Sequence, residues 1–204
     1  MTGQGKGDPK YFPEMVRHMD QLVGRMTKAV DDLGLRDNTL IVFSGDNGTR
    51  QPLTSRWGPE NRVVKGGKGR LTDTGTRVPL IARWPGTIKA DSRCDDLVDF
   101  SDFLPTFVQL AGAKLPAKPI NGRSFLPQLL GKKGRPREWI HVQDHDQRYV
   151  RSRNWILTNK GELRPTVELG RERAMAVPDP LTDEQAAAKA ALEAALRQSA
   201  FASP

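Results

Sequence analysis

Leu33-Gly34-Leu35-Arg36-Asp37-Asn38-Thr39-Leu40-Ile41-Val42-Phe43-Ser44-Gly45-Asp46-Asn47-Gly48 is the stretch whose reading decides the fold. Thr39–Phe43 is a continuous apolar run with β-branched members, which suits a strand buried on both faces of a mainly parallel sheet. The run breaks abruptly into Ser44-Gly45-Asp46-Asn47-Gly48. Two polar side chains set between glycines just past a buried strand belong at the carboxyl edge of a sheet, where open α/β sheets place their ligands. Upstream, apolar residues fall at Val16, Met19, Leu22, Val23, Met26, Val30 and Leu33. Those intervals of three and four predict one amphipathic helix of about six turns from Tyr11 to Leu33, stopped by Gly34.

Working downstream, residues 49–66 read as an irregular excursion with Pro52, Trp57-Gly58-Pro59 and several arginines. Gly66-Gly67-Lys68-Gly69 follows, a backbone able to approach a ligand closely and carrying one cation. Val78–Trp84 reads as a second strand, closed by Pro85-Gly86. A helix is expected from Leu97 to Ala111, with Ser101 or Asp102 as N-cap and Pro105 in the first turn. Its apolar face is Phe103, Leu104, Phe107, Val108 and Leu110, and Gly112 ends it.

Beyond about residue 130 the character changes. Short strand-like pieces at Trp139–Val142, Gln147–Arg151 and Trp155–Leu157 fit hairpins of a small antiparallel sheet. Thr182-Asp183-Glu184-Gln185 is a capping box opening an Ala-rich helix to about Ser199, expected to pack through Leu192, Leu196 and Phe201. The expected organisation is a larger α/β unit over residues 1–130 and a small α+β subdomain over 131–204.

Composition narrows the function classes. With 204 residues, 37% apolar content and 19 glycines, the chain can build a core and a wholly disordered polymer is excluded. The net charge is +8, but the 32 Lys and Arg are scattered among 24 acids. The densest cluster, Lys132-Lys133-Gly134-Arg135-Pro136-Arg137, lies in a Gly/Pro-rich stretch and reads as a solvated loop, not a nucleic-acid patch. No nucleic-acid or membrane partner is therefore expected, whereas an anionic substrate suits the charge. Cys94 is the only cysteine, so no internal disulfide can form, and an inert thiol is its simplest reading. The first ten residues lack the apolar core of a signal peptide, which leaves the compartment of any parent protein open.

Three residues carry candidate chemistry. Asp46 and Asn47 are adjacent oxygen donors at a strand end, and such hard ligands suit Ca²⁺ or Mg²⁺ rather than zinc. Taken alone, Asp-Asn-Gly is equally a turn sequence. Lys68 between glycines can reach an anion, although Gly-Gly-Lys-Gly by itself also describes a flexible loop and lacks the rest of a P-loop. His141 and His145, with Asp144 and Asp146, are metal-type residues that read more simply as a polar loop. Asp31-Asp32 reads as an exposed helical pair, and His18 as a structural residue beside the buried stripe.

Taken in order, these stretches resemble the type I sulfatase (arylsulfatase) family of the alkaline-phosphatase-like superfamily, C-terminal portion. Asp20–Arg25 and Leu33–Gly48 are similar to the family's helix, strand and metal loop. Gly66–Gly69, Gly75–Ile81 and Arg83–Gly86 resemble its second signature. Leu97-Val98-Asp99, Leu104-Pro105-Thr106, Leu110-Ala111-Gly112, Asn121–Phe125, Tyr149–Ser152 and Trp155–Gly161 continue in family order.

The resemblance implies part of an α/β/α sandwich followed by a small antiparallel subdomain with a C-terminal helix. It implies that Asp46 and Asn47 ligate Ca²⁺, that Lys68 contacts the sulfate or the leaving ester oxygen, and that Asp46 also serves the nucleophile. The family's nucleophile, a formylglycine made in a Cys/Ser-x-Pro-x-Arg motif, has no counterpart here, since Cys94 precedes Asp95-Asp96-Leu97. The remaining ligands are expected in a missing N-terminal half. The expected substrate is a sulfated small molecule or polysaccharide, and the chain alone is expected to be inactive. The alternatives are a phosphonate or phosphodiester hydrolase of the same superfamily, or a non-catalytic remnant that binds sulfated polysaccharide. The family often has Tyr-Glu-Gly-Gly after its lysine; here that place is taken by Thr72-Asp73-Thr74-Gly75.

Overall fold

A computed structural model describes residues 8–166 and 176–200, with side chains through 198. Helix α1 spans Phe12–Asp32, with a proline in its first turn. Gly34 stops it in the left-handed region, at φ +69°. The helix has the apolar stripe expected of it, but the stripe is not covered. Met15, Val16, Met19, Leu22 and Met26 are all exposed, and α1 contains no buried residue. His18 is exposed as well, so it is no core histidine.

After α1 the chain enters β1 (Ile41–Ser44). It then makes a hairpin of β2 (Thr54–Trp57) and β3 (Arg62–Lys65), where only an irregular excursion was expected. A single helical turn, α2 (Asp73–Thr76), precedes β4 (Leu80–Arg83). β4 pairs with β1 antiparallel, Phe43 opposite Ile81 and Ser44 opposite Leu80. The pairing with β4 is antiparallel, whereas a strand of a mainly parallel sheet was expected, and the reason is topological. A parallel return needs a crossover of a dozen or more residues, usually a helix. Between Ser44 and Leu80 the chain holds only a hairpin and one helical turn. Every residue of β1 is half-buried.

The sheet is tied to α1 through Asp31, which accepts two hydrogen bonds from Arg83 Nη2, at 2.8 and 2.9 Å. Asp31 is therefore an anchor and not the solvent-facing residue its sequence context implied, while Asp32 pairs with Lys28 on the surface. Trp84 Nε1 also donates to the carbonyl of Asp37, at 2.8 Å.

Asp99 caps a 3-10 turn (Phe100–Asp102) that runs into α3 (Phe103–Leu110), where Asp102 stands at the N-cap position as expected but makes no side-chain capping bond. Asp102 is buried and serves instead as an electrostatic hub. It accepts from the backbone N–H groups of Asp99 and Arg123 and from the guanidinium of Arg137. Phe103 packs against Phe100, Phe107 and Phe125. A short helix α4 (Leu126–Leu129) follows.

The last part is a four-stranded antiparallel meander of β5 (Ile140–Asp144), β6 (Gln147–Arg151), β7 (Trp155–Thr158) and β8 (Leu163–Pro165). One face carries Val150, Leu157 and Leu163 against Leu192 and Ala195 of α5 (Asp183–Ala200), with Trp139, Trp155, Val177 and Leu196 around them. Thr182 and Gln185 form the reciprocal capping box that opens α5. Phe201, expected in this packing, lies outside the described residues.

Two stability tests follow from these contacts. Arg137 is the buried counter-charge of Asp102, with side chains 8% and 2% exposed. Removing one partner of such a pair leaves an uncompensated charge, so Arg137→Ala is expected to lower stability by about 3–5 kcal/mol. Urea denaturation measures this, and a loss below about 1 kcal/mol would show that Asp102 needs no partner. His141 on β5 has a buried Nε2 without a hydrogen-bond partner. Burial, then the Arg148 charge, lowers its pKa below 6.5, against an opposing pull from Asp99. On acidification the unfolded chain therefore takes up this proton first. Stability is expected to fall as pH drops from 6.5 towards the folded pKa. His141→Gln should flatten that part of the urea-midpoint profile.

Candidate functional site: the Asp46/Asn47 loop and the lysine loop

The loop after β1 and the loop after β3 are zipped together through their backbones. Gly48 N–H donates to the carbonyl of Gly75 at 2.8 Å, and Lys68 N–H to the carbonyl of Thr49 at 3.0 Å. Gly66 N–H donates to Leu53 at 2.8 Å and closes the base of the β2–β3 hairpin. The approach is too close for side chains. A Cβ on Gly48 would lie 1.8 Å from the Thr74 carbonyl oxygen. One on Gly67 would lie 2.3 Å from Thr74 Oγ1 and 2.6 Å from Gly75 N, and one on Gly75 2.2 Å from the Arg70 carbonyl. Gly66, Gly67 and Gly75 are buried, whereas Lys68 between Gly67 and Gly69 is exposed.

The backbone of Lys68 is thus held against Thr49, two residues past Asn47 on the loop that leaves β1. Asp46 is exposed and Asn47 half-buried. Among the described residues neither side chain has a hydrogen-bond partner, and Lys68 makes no ion pair. Their oxygens and the ammonium are therefore free to meet a ligand. Asp46 and Asn47 fit a hard cation by donor type, as two of the six to eight oxygens that Ca²⁺ takes. Among the described residues no group of three or more His, Cys, Asp and Glu could hold a metal ion. His141 and His145 do not build one. His145 sits at a turn with φ +52°, its ring nitrogen 2.8 Å from the adjacent Asp144 and its carbonyl accepting from Gln143 Nε2 at 3.2 Å.

Sequence reading did not anticipate how the small sheet braces this region. Tyr149 and Arg151 point away from α5 and reach the segment that follows the lysine loop. Arg151 Nη1 donates to Asp73 Oδ1 at 2.5 Å, with side chains only 10% and 12% exposed. Tyr149 OH and Thr76 Oγ1 share a hydrogen bond of 2.8 Å. These pairs are separated by more than 70 residues, so no local pattern could have revealed them.

A comparison with protein families matches the sulfatase model to residues 10–113, which span α1, β1–β4, both loops and α3. The chain belongs to the sulfatase family. Human steryl-sulfatase is 38% identical over 136 residues, covering 64% of this chain and 23% of that protein. An ulvan-active sulfatase of Formosa agariphila is 31% identical over 163 residues, covering 68% and 29%. Among solved structures, Ps i-CgsB matches with a TM-score of 0.63 and 27% identity, over 80% of this chain and 37% of that one. The fold is the mixed α/β fold of the alkaline-phosphatase-like sulfatases, with the small antiparallel sheet and C-terminal helix in place. This sulfatase chain spans about a quarter of the length of the curated relatives it matches.

The Asp73–Arg151 pair is open to a direct test. Asp73→Asn leaves the guanidinium of Arg151 buried without a counter-charge, a loss of about 3–5 kcal/mol. Amide exchange over residues 66–76 is expected to speed up by roughly 10²-fold, while β6 and β7, held by α5, keep their protection. Equal loosening of both regions would show a global defect instead of a local brace.

Proposed function

We propose that this chain is the C-terminal portion of a sulfate-monoester hydrolase, and that Asp46, Asn47 and Lys68 are its contribution to the site. The observation that carries this reading is the backbone zip of the two loops. It presents two unpartnered oxygen donors and an unpaired ammonium on two loops held together, in a chain of the sulfatase family. Asp46 and Asn47 would hold Ca²⁺, which when bound supplies Lewis-acid stabilisation of charge on the sulfate oxygens. Lys68 would orient the sulfate and offset charge that develops on the leaving ester oxygen. Asp46 would also orient the nucleophile. The formylglycine and the other metal ligands would come from a complementary N-terminal portion of the fold, on the same polypeptide or on a second one.

The exposed stripe of α1 supports that complement. Met15, Val16, Met19, Leu22 and Met26 of α1 and Leu80 and Ile81 of β4 are all exposed, and grouped exposed apolar side chains mark surfaces that another element covers. Donor chemistry favours a sulfatase over a phosphodiester hydrolase. An Asp-Asn pair and a lysine serve one cation and one anion.

The test is an aryl-sulfate assay on the protein purified from its source cells, with whatever completes it, beside the isolated 204-residue chain. The native assembly is expected to hydrolyse the ester, to lose activity on chelation, and to lose about 10²–10³-fold in kcat with Lys68→Ala. The isolated chain is expected to show no turnover. Turnover by the isolated chain above its own Lys68→Ala control would overturn the two-part reading.

A further inference from the structure

The β2–β3 hairpin rises directly from the lysine loop, and its two faces differ. Val64 is buried and Arg62 half-buried on the face they share with the exposed Ser55 and Trp57, so that face turns inward along β3 only. The opposite face presents Thr54, Arg56, Val63 and Lys65, all exposed. Thr54 pairs with Lys65, so Arg56 is the diagonal neighbour of Lys65, at a separation of roughly 7–8 Å. Lys65 lies three residues before Lys68, within about 10 Å along the chain. Arg56, Lys65 and Lys68 therefore form a short row of cations leading away from the site.

The row sits in a strongly positive region. Residues 49–77 contain seven of the chain's Lys and Arg but only two acids, Glu60 and Asp73. Both acids are engaged, Glu60 with Arg62 and Asp73 with Arg151. Among the described residues Arg50, Arg56, Lys65, Lys68, Arg70 and Arg77 take part in no salt bridge. Unpaired cations clustered beside a site raise the local concentration of anions and steer them in.

We propose that the outward face of the β2–β3 hairpin is a binding arm for an anionic saccharide chain, holding anionic groups on sugars next to the one whose sulfate ester Lys68 meets. The inference rests on the sulfatase reading of Lys68 and deepens it: the substrate is a multiply charged oligosaccharide rather than a neutral apolar alcohol carrying one sulfate. The face supplies what such a chain needs, namely two cations at sugar-scale spacing and the Thr54 hydroxyl. Its one apolar member, Val63, is too little to cover a fused-ring alcohol. A nucleic acid fits less well, because the face has no aromatic side chain on which bases could stack, and Trp57 belongs to the other side.

The experiment measures binding by the native assembly of three probes: a heparin-derived hexasaccharide, a monosulfated monosaccharide and a hexathymidylate. The hexasaccharide is expected to bind at least about tenfold tighter than the monosaccharide. Arg56→Ala with Lys65→Ala should abolish that advantage and reduce the log-affinity-against-log-salt slope by about one unit per cation. The swapped pair Arg56→Lys with Lys65→Arg should retain both, which excludes misfolding as the cause. Lys132→Ala with Lys133→Ala, two exposed cations on the loop after α4, should change neither. Equal losses from the two alanine pairs, no loss from the hairpin pair, or a hexathymidylate binding as tightly as the hexasaccharide would each overturn the proposal. Lys68→Ala reports separately on the sulfatase reading: it should weaken the monosulfated monosaccharide, whose affinity the hairpin pair leaves intact. If Lys68→Ala leaves that affinity unchanged, the sulfatase reading fails, whatever the hairpin variants show.

Discussion

Two backbone contacts organise the functional edge of this chain: Gly48 N–H to the Gly75 carbonyl, and Lys68 N–H to the Thr49 carbonyl. They exist because glycines stand at the first contact and beside the second. At Gly48, Gly67 and Gly75 an added Cβ would overlap neighbouring backbone or side-chain atoms at 2.6 Å or less, far inside van der Waals contact. The glycines here act less through conformational freedom than through absent volume. Since the contacts are between main chains, they fix the loops in register without using Asp46, Asn47 or Lys68 side chains. Those stay available for a ligand, an arrangement typical of sites that a rigid scaffold positions on loops.

The zip does not stand alone. The segment that provides Gly75 is gripped from the far side by the small sheet, through Asp73–Arg151 and Thr76–Tyr149. That sheet is in turn fixed by the apolar packing of Val150, Leu157 and Leu163 against α5. Packing energy in the last 60 residues is thereby transmitted to a loop near residue 70 by one buried ion pair and one hydrogen bond. Such a pair adds little net stability over an apolar contact of the same shape. Its value is directional, since only one placement of α2 satisfies both partners.

Half of the chain has the opposite character. α1 and the β1–β4 pair carry apolar side chains that nothing among the described residues covers. In a fold of stacked layers, a helix stripe and a sheet face each need an opposing layer. The small sheet has one in α5, and the stripe of α1 has none among the described residues. This contrast fits a chain that spans about a quarter of its curated relatives' length. It also places the electrostatics in context, because the cations of the β2–β3 hairpin border the same edge.

Local patterns alone determined a great deal. The three-and-four spacing of Val16 to Leu33 specified α1, the run Leu40–Phe43 specified β1, and Thr182 with Gln185 specified the start of α5, because each depends on neighbours within a turn or two. The ordered motifs from Asp20 to Gly161 were enough to point to the sulfatase family, and Asp46, Asn47 and Lys68 stood out by residue type beside glycines. What sequence could not supply were quantities set by distant partners. The antiparallel pairing of β1 with β4 depends on how the intervening 35 residues fold back. The conversion of residues 54–65 into a hairpin depends on Gly66 meeting Leu53. The anchoring of Asp31 by Arg83 and of Asp73 by Arg151 depends on contacts across 52 and 78 positions. Period and propensity are properties of a window of residues, whereas register, burial and charge pairing are properties of the assembled surface, so only the tertiary structure decided them.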